Sequence, residues 1–76
     1  MEQNIVLANR VNQLREERNM NYNDLAEKSG LPLRRVYRIA QGGVSNPGVF
    51  VMMKLCKGLG VSLDEFFGTD EFEEFR

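Results

Sequence analysis

Hydrophobic side chains recur with helical spacing along most of the chain. In residues 4–18, Leu7, Val11 and Leu14 fall on one face while charged residues fill the others. The same period places Val36 and Ile39 on the inner face of residues 33–41. No segment alternates between apolar and polar residues as a half-buried strand would. The pattern predicts an all-α fold of five short helices, at about residues 4–18, 21–29, 33–41, 48–58 and 62–67.

The residues between these segments are typical helix boundaries. Asn21 is a good N-cap, and Asp24, three positions later, can complete a capping box. Gly30 readily adopts the left-handed conformation that ends a helix, and Pro32 suits the start of the next one. Ser62 is expected to cap the last short helix. The buried stripe of the fourth helix is expected to contain five side chains: Val49, Met52, Leu55, Cys56 and Leu59.

The composition indicates one small domain that lacks the residues on which many enzymes and metal sites depend. The sequence has 76 residues and one cysteine, Cys56, which we interpret as a small buried hydrophobe. There is no histidine, so a Ser-His or Cys-His nucleophile pair is excluded and zinc ligands are lacking. We therefore expect no enzymatic activity, no cofactor and no metal. Without a membrane span or a secretion signal, the chain is expected to be cytoplasmic and to have no membrane partner.

The net charge of −1 conceals a strong asymmetry along the chain. Residues 1–63 carry nine Lys or Arg and five Asp or Glu, for a net charge of +4, whereas residues 64–76 carry six acids and one Arg, for −5. Arg34, Arg35 and Arg38 lie on one predicted helix, and residues 28–63 contain no acid. A short helix with such a basic outer face has the size and charge that a DNA major groove accepts.

Several short motifs follow one another in a regular order. They are Leu14-Arg15, Leu25-Ala26, Gly30-Leu31-Pro32, Ile39 to Gly42, Asn46-Pro47, Met53-Lys54-Leu55 to Leu59, and Val61 to Phe67. In this order and spacing, residues 5–67 resemble the Cro/C1-type (XRE-like) helix-turn-helix domain of phage repressors and bacterial regulators. The resemblance implies a compact five-helix, lambda-repressor-like bundle in which helices 2 and 3 form the helix-turn-helix. That domain would occupy residues 1–68, followed by an acidic aromatic tail over residues 69–76.

The resemblance also implies a function, which is binding of double-stranded DNA by a small, repressor-like transcriptional regulator at the bacterial nucleoid. The third helix, at about residues 33–41, would enter the major groove. The family's base-contacting positions fall on four residues: Leu33, Arg34, Tyr37 and Arg38. An arginine can bridge O6 and N7 of guanine with two parallel donors, and an apolar side chain can meet a thymine methyl group.

Phosphate contacts are expected from helix starts, loops and flanking side chains, which set the register on DNA without reading its sequence. The start of the second helix presents backbone amides that favour an anion. The loop after the third helix would complete the clamp. The expected phosphate contacts are Arg15, Asn21, Tyr22, Arg35, Gln41, Ser45 and Asn46.

Some positions depart from the family pattern. Tyr22 stands where the family usually has a glutamine whose amide bridges phosphate and the recognition helix. Ala40 stands where many members have a glutamate that pairs with the arginine equivalent to Arg15. We therefore expect Arg15 to be unpaired, and either free for a phosphate or simply solvated. Phe50 and Val51 occupy positions that are usually polar.

Phe50 is expected to lie on an outer helix face with Lys54 and Lys57. An apolar residue on a charged face can be harmless, but it can also mark a partner surface. We interpret it as part of a homodimer contact that would place two recognition helices in successive major grooves of a near-palindromic site. The expected dimer contacts are Phe50, Met53, Phe66 and Phe67.

A second interpretation stays open. The chain could be a protein-interaction module of the same fold, antitoxin-like or anti-repressor-like, with little DNA binding. Tyr22, Ala40, Phe50 and the acidic aromatic tail favour it, and the tail could contact a protein partner, fold back on its own core or be disordered. The arginine cluster could likewise be only a solvated helix face.

Overall fold

The computed structural model describes residues 2–75, and they form an all-helical bundle. The elements are α1 (Gln3–Glu17), α2 (Tyr22–Ser29), α3 (Leu33–Ala40), α4 (Val49–Leu59), α5 (Leu63–Phe67) and a 3₁₀ helix (Asp70–Phe75). Within residues 2–75 there is no strand. The predicted all-α fold with five α-helices is confirmed, with a 3₁₀ helix in addition. None of the described helices is long and apolar enough to cross a membrane.

The predicted helix boundaries are present as hydrogen-bonded caps. Asn21 Oδ1 accepts from the amide of Asp24 at 2.8 Å, and Asp24 Oδ2 accepts from the amide of Asn21 at 3.1 Å. Ser62 forms the same reciprocal box at the start of α5. Gly30 ends α2 with φ of 73°, a left-handed value that glycine adopts at no steric cost. Pro32 is the N-cap of α3. At this position the helix needs no backbone N–H, so a proline fits without loss of a hydrogen bond.

The core contains the apolar residues that the helical period predicts to be buried, except for one residue of α4. Leu25, Leu55 and Phe66 are fully buried. The expectation that Val49 belongs to the buried stripe is wrong, because its side chain is 61% exposed. Val49 lies three residues before the buried Met52 and so matches the helical period of the stripe. It is also the first residue of α4, and its side chain lies outside the core.

A close approach between α2 and α4 fixes the position of the helix-turn-helix. Ser29 and Gly58 are both buried, and a Cβ added to Gly58 would lie 2.8 Å from Ser29 Cβ and 2.9 Å from its backbone nitrogen. Contacts this short leave room only for glycine at position 58. Cys56, on the same helix, is 3% exposed, and burial raises the pKa of its thiol. The interpretation of Cys56 as a small buried hydrophobe is confirmed.

The C-terminal segment packs on the body. Phe72 in the 3₁₀ helix is buried, and its ring centroid lies 5.0 Å from that of Phe67 and 6.1 Å from that of Phe66. Arg10 on α1 holds the end of α5, since its Nε donates to the carbonyl oxygen of Phe66 at 2.8 Å. Of the alternatives left open for the tail, residues 70–75 follow the one in which it folds back on its own core.

Candidate nucleic-acid interface

The exposed face of α3 combines basic side chains with apolar and aromatic ones. Val36, Ile39 and Ala40 are buried, so helical geometry turns the remaining side chains of α3 outward. Leu33 is 45% and Tyr37 is 51% exposed. The exposed face of α3 consists of Leu33, Arg34, Arg35, Tyr37 and Arg38.

The three arginines of α3 have no partner within residues 2–75. Their side chains form neither a salt bridge nor a hydrogen bond there, while the salt bridges of Arg15 and Arg18 go to their neighbours on α1. Unpaired guanidinium groups on one helix face produce a positive potential that attracts an anionic polymer. These arginines are also free to place paired donors on a base edge or a phosphate.

A groove of about 390 Å³ continues this positive surface toward α4. The arginines Arg34, Arg35 and Arg38 line one part of it, and the loop residues Asn46 and Pro47 line another. Gly48 also borders the groove and is the N-cap of α4, where no side chain caps the helix. The groove therefore combines three guanidinium groups with a helix start, both of which favour negatively charged oxygens.

The starts of α2 and α3 open onto one surface. A shallow cleft is lined by Asn21, Tyr22 and Asn23 from α2 and by Leu33, Arg34 and Tyr37 from α3. The structure thus brings the four expected base-contacting residues onto one helix and places two expected phosphate contacts, Asn21 and Tyr22, beside them. The side-chain oxygen of Asn21 is occupied by its capping bond to Asp24.

Arg15 is not free, so the expectation that it is unpaired is wrong. Its Nη1 donates to the carbonyl oxygen of Met20 at 2.7 Å, and its Nε and Nη2 donate to Asn12 Oδ1 at 3.3 and 3.2 Å. Its guanidinium carbon lies 4.4 Å from the centroid of the Tyr22 ring. The side chain is 15% exposed. Backbone and amide oxygens here take the place of the glutamate that many family members supply.

Asn12 is the residue that sequence reasoning missed. Its Nδ2 donates to the carbonyl oxygen of Ala40 at 2.9 Å, which ties α1 to the last residue of α3. Its Oδ1 accepts from Arg15 and from the hydroxyl of Tyr22, the latter at 3.4 Å. The one available sequence signal was its spacing of three residues from Arg15, which places both on one face of α1.

The remaining expected phosphate contacts lie around the same surface. Gln41 is exposed and its Nε2 donates to the Tyr22 hydroxyl at 3.3 Å. Ser45 and Asn46 are exposed in the loop between α3 and α4. Arg35 lines the groove toward α4 rather than the cleft toward α2, as suits a side chain at the flank of the helix.

The four expected dimer contacts divide into two groups. Phe50 is 73% and Met53 is 49% exposed, so both are available on the outer face of α4. Phe67 is partly buried and packs against the core. Phe66 is fully buried, and the expectation that it contacts a second copy is wrong for this conformation. Phe66 and Phe67 therefore stabilise the fold of the single chain.

A helical bundle in which a tight turn joins two short helices, the second with a basic outer face, defines the helix-turn-helix class of DNA-binding domains. Comparison with known families agrees: the model of the Cro/C1-type helix-turn-helix family matches residues 11–66. The chain belongs to this family. No curated protein and no solved structure matches the chain.

Proposed function

We propose that this protein binds double-stranded DNA in a sequence-specific manner, as a small regulator of the repressor type. The observation that carries the proposal is the exposed face of α3, where three arginines without partners in residues 2–75 flank an exposed leucine and an exposed tyrosine. The adjoining groove toward α4 is basic as well, because the same three arginines line it together with the loop residue Asn46. Helix α3 would lie in the major groove.

Each side chain of that face has a role in the proposal. Arg34 and Arg38 would read guanine through O6 and N7, Leu33 would meet a thymine methyl group, and Tyr37 would contact a base edge or sugar. Arg35 would neutralise a phosphate from the groove toward α4. The polar side chains and amides of the neighbouring segments would add phosphate contacts: Asn21, Gln41, Ser45 and Asn46.

The dependence of binding on salt tests this assignment. The logarithm of the binding constant should fall linearly with the logarithm of salt concentration, by about 0.9 per phosphate neutralised. Arg35→Ala is expected to weaken binding equally for all sequences and to lower the slope by about 1 for each bound protomer, because it removes one phosphate contact. Fluorescence anisotropy with duplexes selected from a random library measures both quantities.

Lys28→Ala is the matched control for the salt experiment. Lys28 is exposed in the last turn of α2, at the opposite end of that helix from Tyr22. Its loss changes the net charge as Arg35→Ala does, but it should leave the slope unchanged. If the parent protein binds no duplex even at low salt, the proposal of DNA binding is wrong and the protein-interaction alternative gains.

That second candidate function is a protein-interaction module of the same fold, with little DNA binding. Phe50 and Val49 leave much of their apolar surface in solvent, and Phe75 is 39% exposed in the acidic 3₁₀ helix. Beside Phe75 lies a mostly apolar cleft of about 400 Å³ to which Met52 and Phe72 also contribute. Exposed aromatic side chains flanked by charge are typical of surfaces that a partner covers. The tail would be the contact for such a protein partner.

We further propose that the protein works as a homodimer that pairs the outer faces of α4. Phe50 and Met53 lie three residues apart, and Lys54 and Lys57 continue the same exposed face. A two-fold dimer interface uses the same patch of both copies. The side chains of Phe50 and Met53 would therefore be buried on both protomers. Two recognition helices would then reach half-sites one helical turn apart.

Self-association tests the dimer separately from DNA binding. Phe50→Glu and Met53→Glu should each weaken the dimer at least tenfold, because either would replace an apolar contact by a charged group that loses its hydration in the interface. Sedimentation velocity over a wide range of protein concentration gives the dissociation constant. Lys28→Ala changes the net charge by the same one unit, so it is the charge control and should associate like the parent. A parent protein that stays monomeric with and without DNA would contradict the proposed interface.

A further inference from the structure

We propose that Tyr22 is a positioning residue, which holds the Tyr37 side chain in one orientation on the exposed face of α3 and thereby sets the base preference that Tyr37 contributes. The inference rests on the proposed DNA binding, and it assigns to the ring of Tyr22 a contact that the glutamine usual at this position in the family cannot make. It replaces the sequence-based interpretation of Tyr22 as a phosphate contact. The ring of Tyr22 serves this positioning role more than its hydroxyl does.

The two tyrosine rings meet edge to face. Their centroids lie 5.6 Å apart and their planes are inclined by 86°, the arrangement that the quadrupoles of aromatic rings favour. Tyr22 is half-buried at the start of α2, whereas Tyr37 is 51% exposed on α3. An exposed side chain without such a neighbour would populate several rotamers and lose that freedom on binding. The contact with Tyr22 selects one orientation before DNA arrives.

Tyr22 can act as a support because its own ring is held from α1. The guanidinium carbon of Arg15 lies 4.4 Å from the centroid of the Tyr22 ring, within the range of a cation–π interaction. Arg15 is itself fixed by its 2.7 Å bond to the carbonyl oxygen of Met20. A chain of contacts therefore runs from α1 through the ring of Tyr22 to the surface of α3.

The hydroxyl of Tyr22 makes longer and weaker contacts. It donates to Asn12 Oδ1 at 3.4 Å and accepts from Gln41 Nε2 at 3.3 Å, both beyond the usual hydrogen-bond lengths for these groups. These bonds link Tyr22 to the end of α3 but constrain it less than the ring contacts do. Tyr22→Phe is therefore the conservative variant that keeps positioning, and Tyr22→Leu is the variant that removes it.

The first arm of the test needs no DNA. The ring protons of Tyr37 should show a ring-current shift in the NMR spectrum of the parent, because the Tyr22 ring lies against it. Tyr22→Phe should retain that shift and Tyr22→Leu should lose it. Tyr37→Leu removes only a half-exposed side chain, so its folding is secure, and it should alter the ring shifts of Tyr22 in return. Unchanged Tyr22 shifts in that variant would overturn the proposal even if Tyr22→Leu failed to fold.

The second arm measures base discrimination with a library randomised at each position of the half-site. At the base step that Tyr37 meets, Tyr22→Leu should reduce discrimination about fivefold, the lower bound for a well-made base contact. Tyr22→Phe should keep it. The double variant Tyr22→Leu/Tyr37→Leu should discriminate no worse than Tyr37→Leu alone, because the two residues act through one contact.

Additive losses in that double-mutant cycle would overturn the proposal, as would discrimination in Tyr22→Phe that falls as far as in Tyr22→Leu. A loss of discrimination spread over all positions would show that Tyr22 is merely structural, and would overturn it too. Failure of the proposed DNA binding is distinguishable, since the parent would then bind nothing while the NMR arm still reports on the two rings.

Discussion

Replacing Arg34 or Arg38 by alanine is expected to remove most of the sequence preference of this protein. Each arginine that bridges a guanine contributes about 1–3 kcal/mol of discrimination, so each single variant should bind its selected site about 5–150-fold more weakly for each bound protomer. Both side chains lie exposed on α3 without a partner in residues 2–75, so neither substitution breaks a contact that the fold needs. The loss should therefore appear in binding and not in stability.

The measurement is a competition between the selected duplex and a scrambled one, for the parent and for each variant. Affinity for the scrambled duplex should fall far less than affinity for the selected one, since non-specific binding depends on total charge. Lys28→Ala removes an equal charge at the far end of α2. It should leave the ratio of the affinities for the selected and the scrambled duplex unchanged. Variants that select the same sites as the parent from a mixed library would show that α3 is not the recognition helix.

Phe66→Ala is expected to destabilise the fold by about 3–5 kcal/mol, which is the usual cost of removing a buried phenylalanine ring. Phe66 is 0% exposed, and both Phe67 and Phe72 pack against it. A domain of 76 residues has a total stability of roughly 4–11 kcal/mol. The variant should therefore lose a large share of the stability of the fold, whatever its effect on self-association.

Phe50→Ala is the control for this prediction, because it deletes the same ring from a position that is 73% exposed. Its free energy of unfolding should lie within about 0.5 kcal/mol of the parent value for the monomer. Urea titrations followed by circular dichroism at low protein concentration compare the two variants. Equal destabilisation by both substitutions would mean that the ring of Phe66 does not lie in the core.

The features that the sequence predicted well are those encoded over a few neighbouring residues. Helical periodicity located all five α-helices, the pair Asn21-Asp24 forms the capping box that its spacing favours, and Ser62 caps α5. Gly30 adopts the left-handed conformation that a helix end needs. Leu33, Tyr37 and the three arginines of α3 emerged on the outer face because Val36 and Ile39 define the inner one.

The expectations that were wrong depend on which groups a side chain meets in the folded protein, even where those groups are near in the chain. Arg15 was expected to be unpaired because only a missing glutamate was considered, yet it finds the carbonyl oxygen of Met20 and the amide of Asn12. Val49 matched the period of α4 but lies outside the core. A periodicity argument assigns a residue to a face of its own helix, and it contains no information about where the neighbouring helices end.

The amino-acid sequence by itself determined the helices, their ends and the basic character of α3, because hydrophobic period, capping and charge act within one helix. Only the tertiary structure decided that Phe66 serves the core, that residues 70–75 pack back on the body, and that Tyr22 lies between Arg15 and Tyr37. The bond from Asn12 to Ala40 joins residues 28 positions apart. Such contacts depend on how whole helices pack, and no local pattern records that geometry.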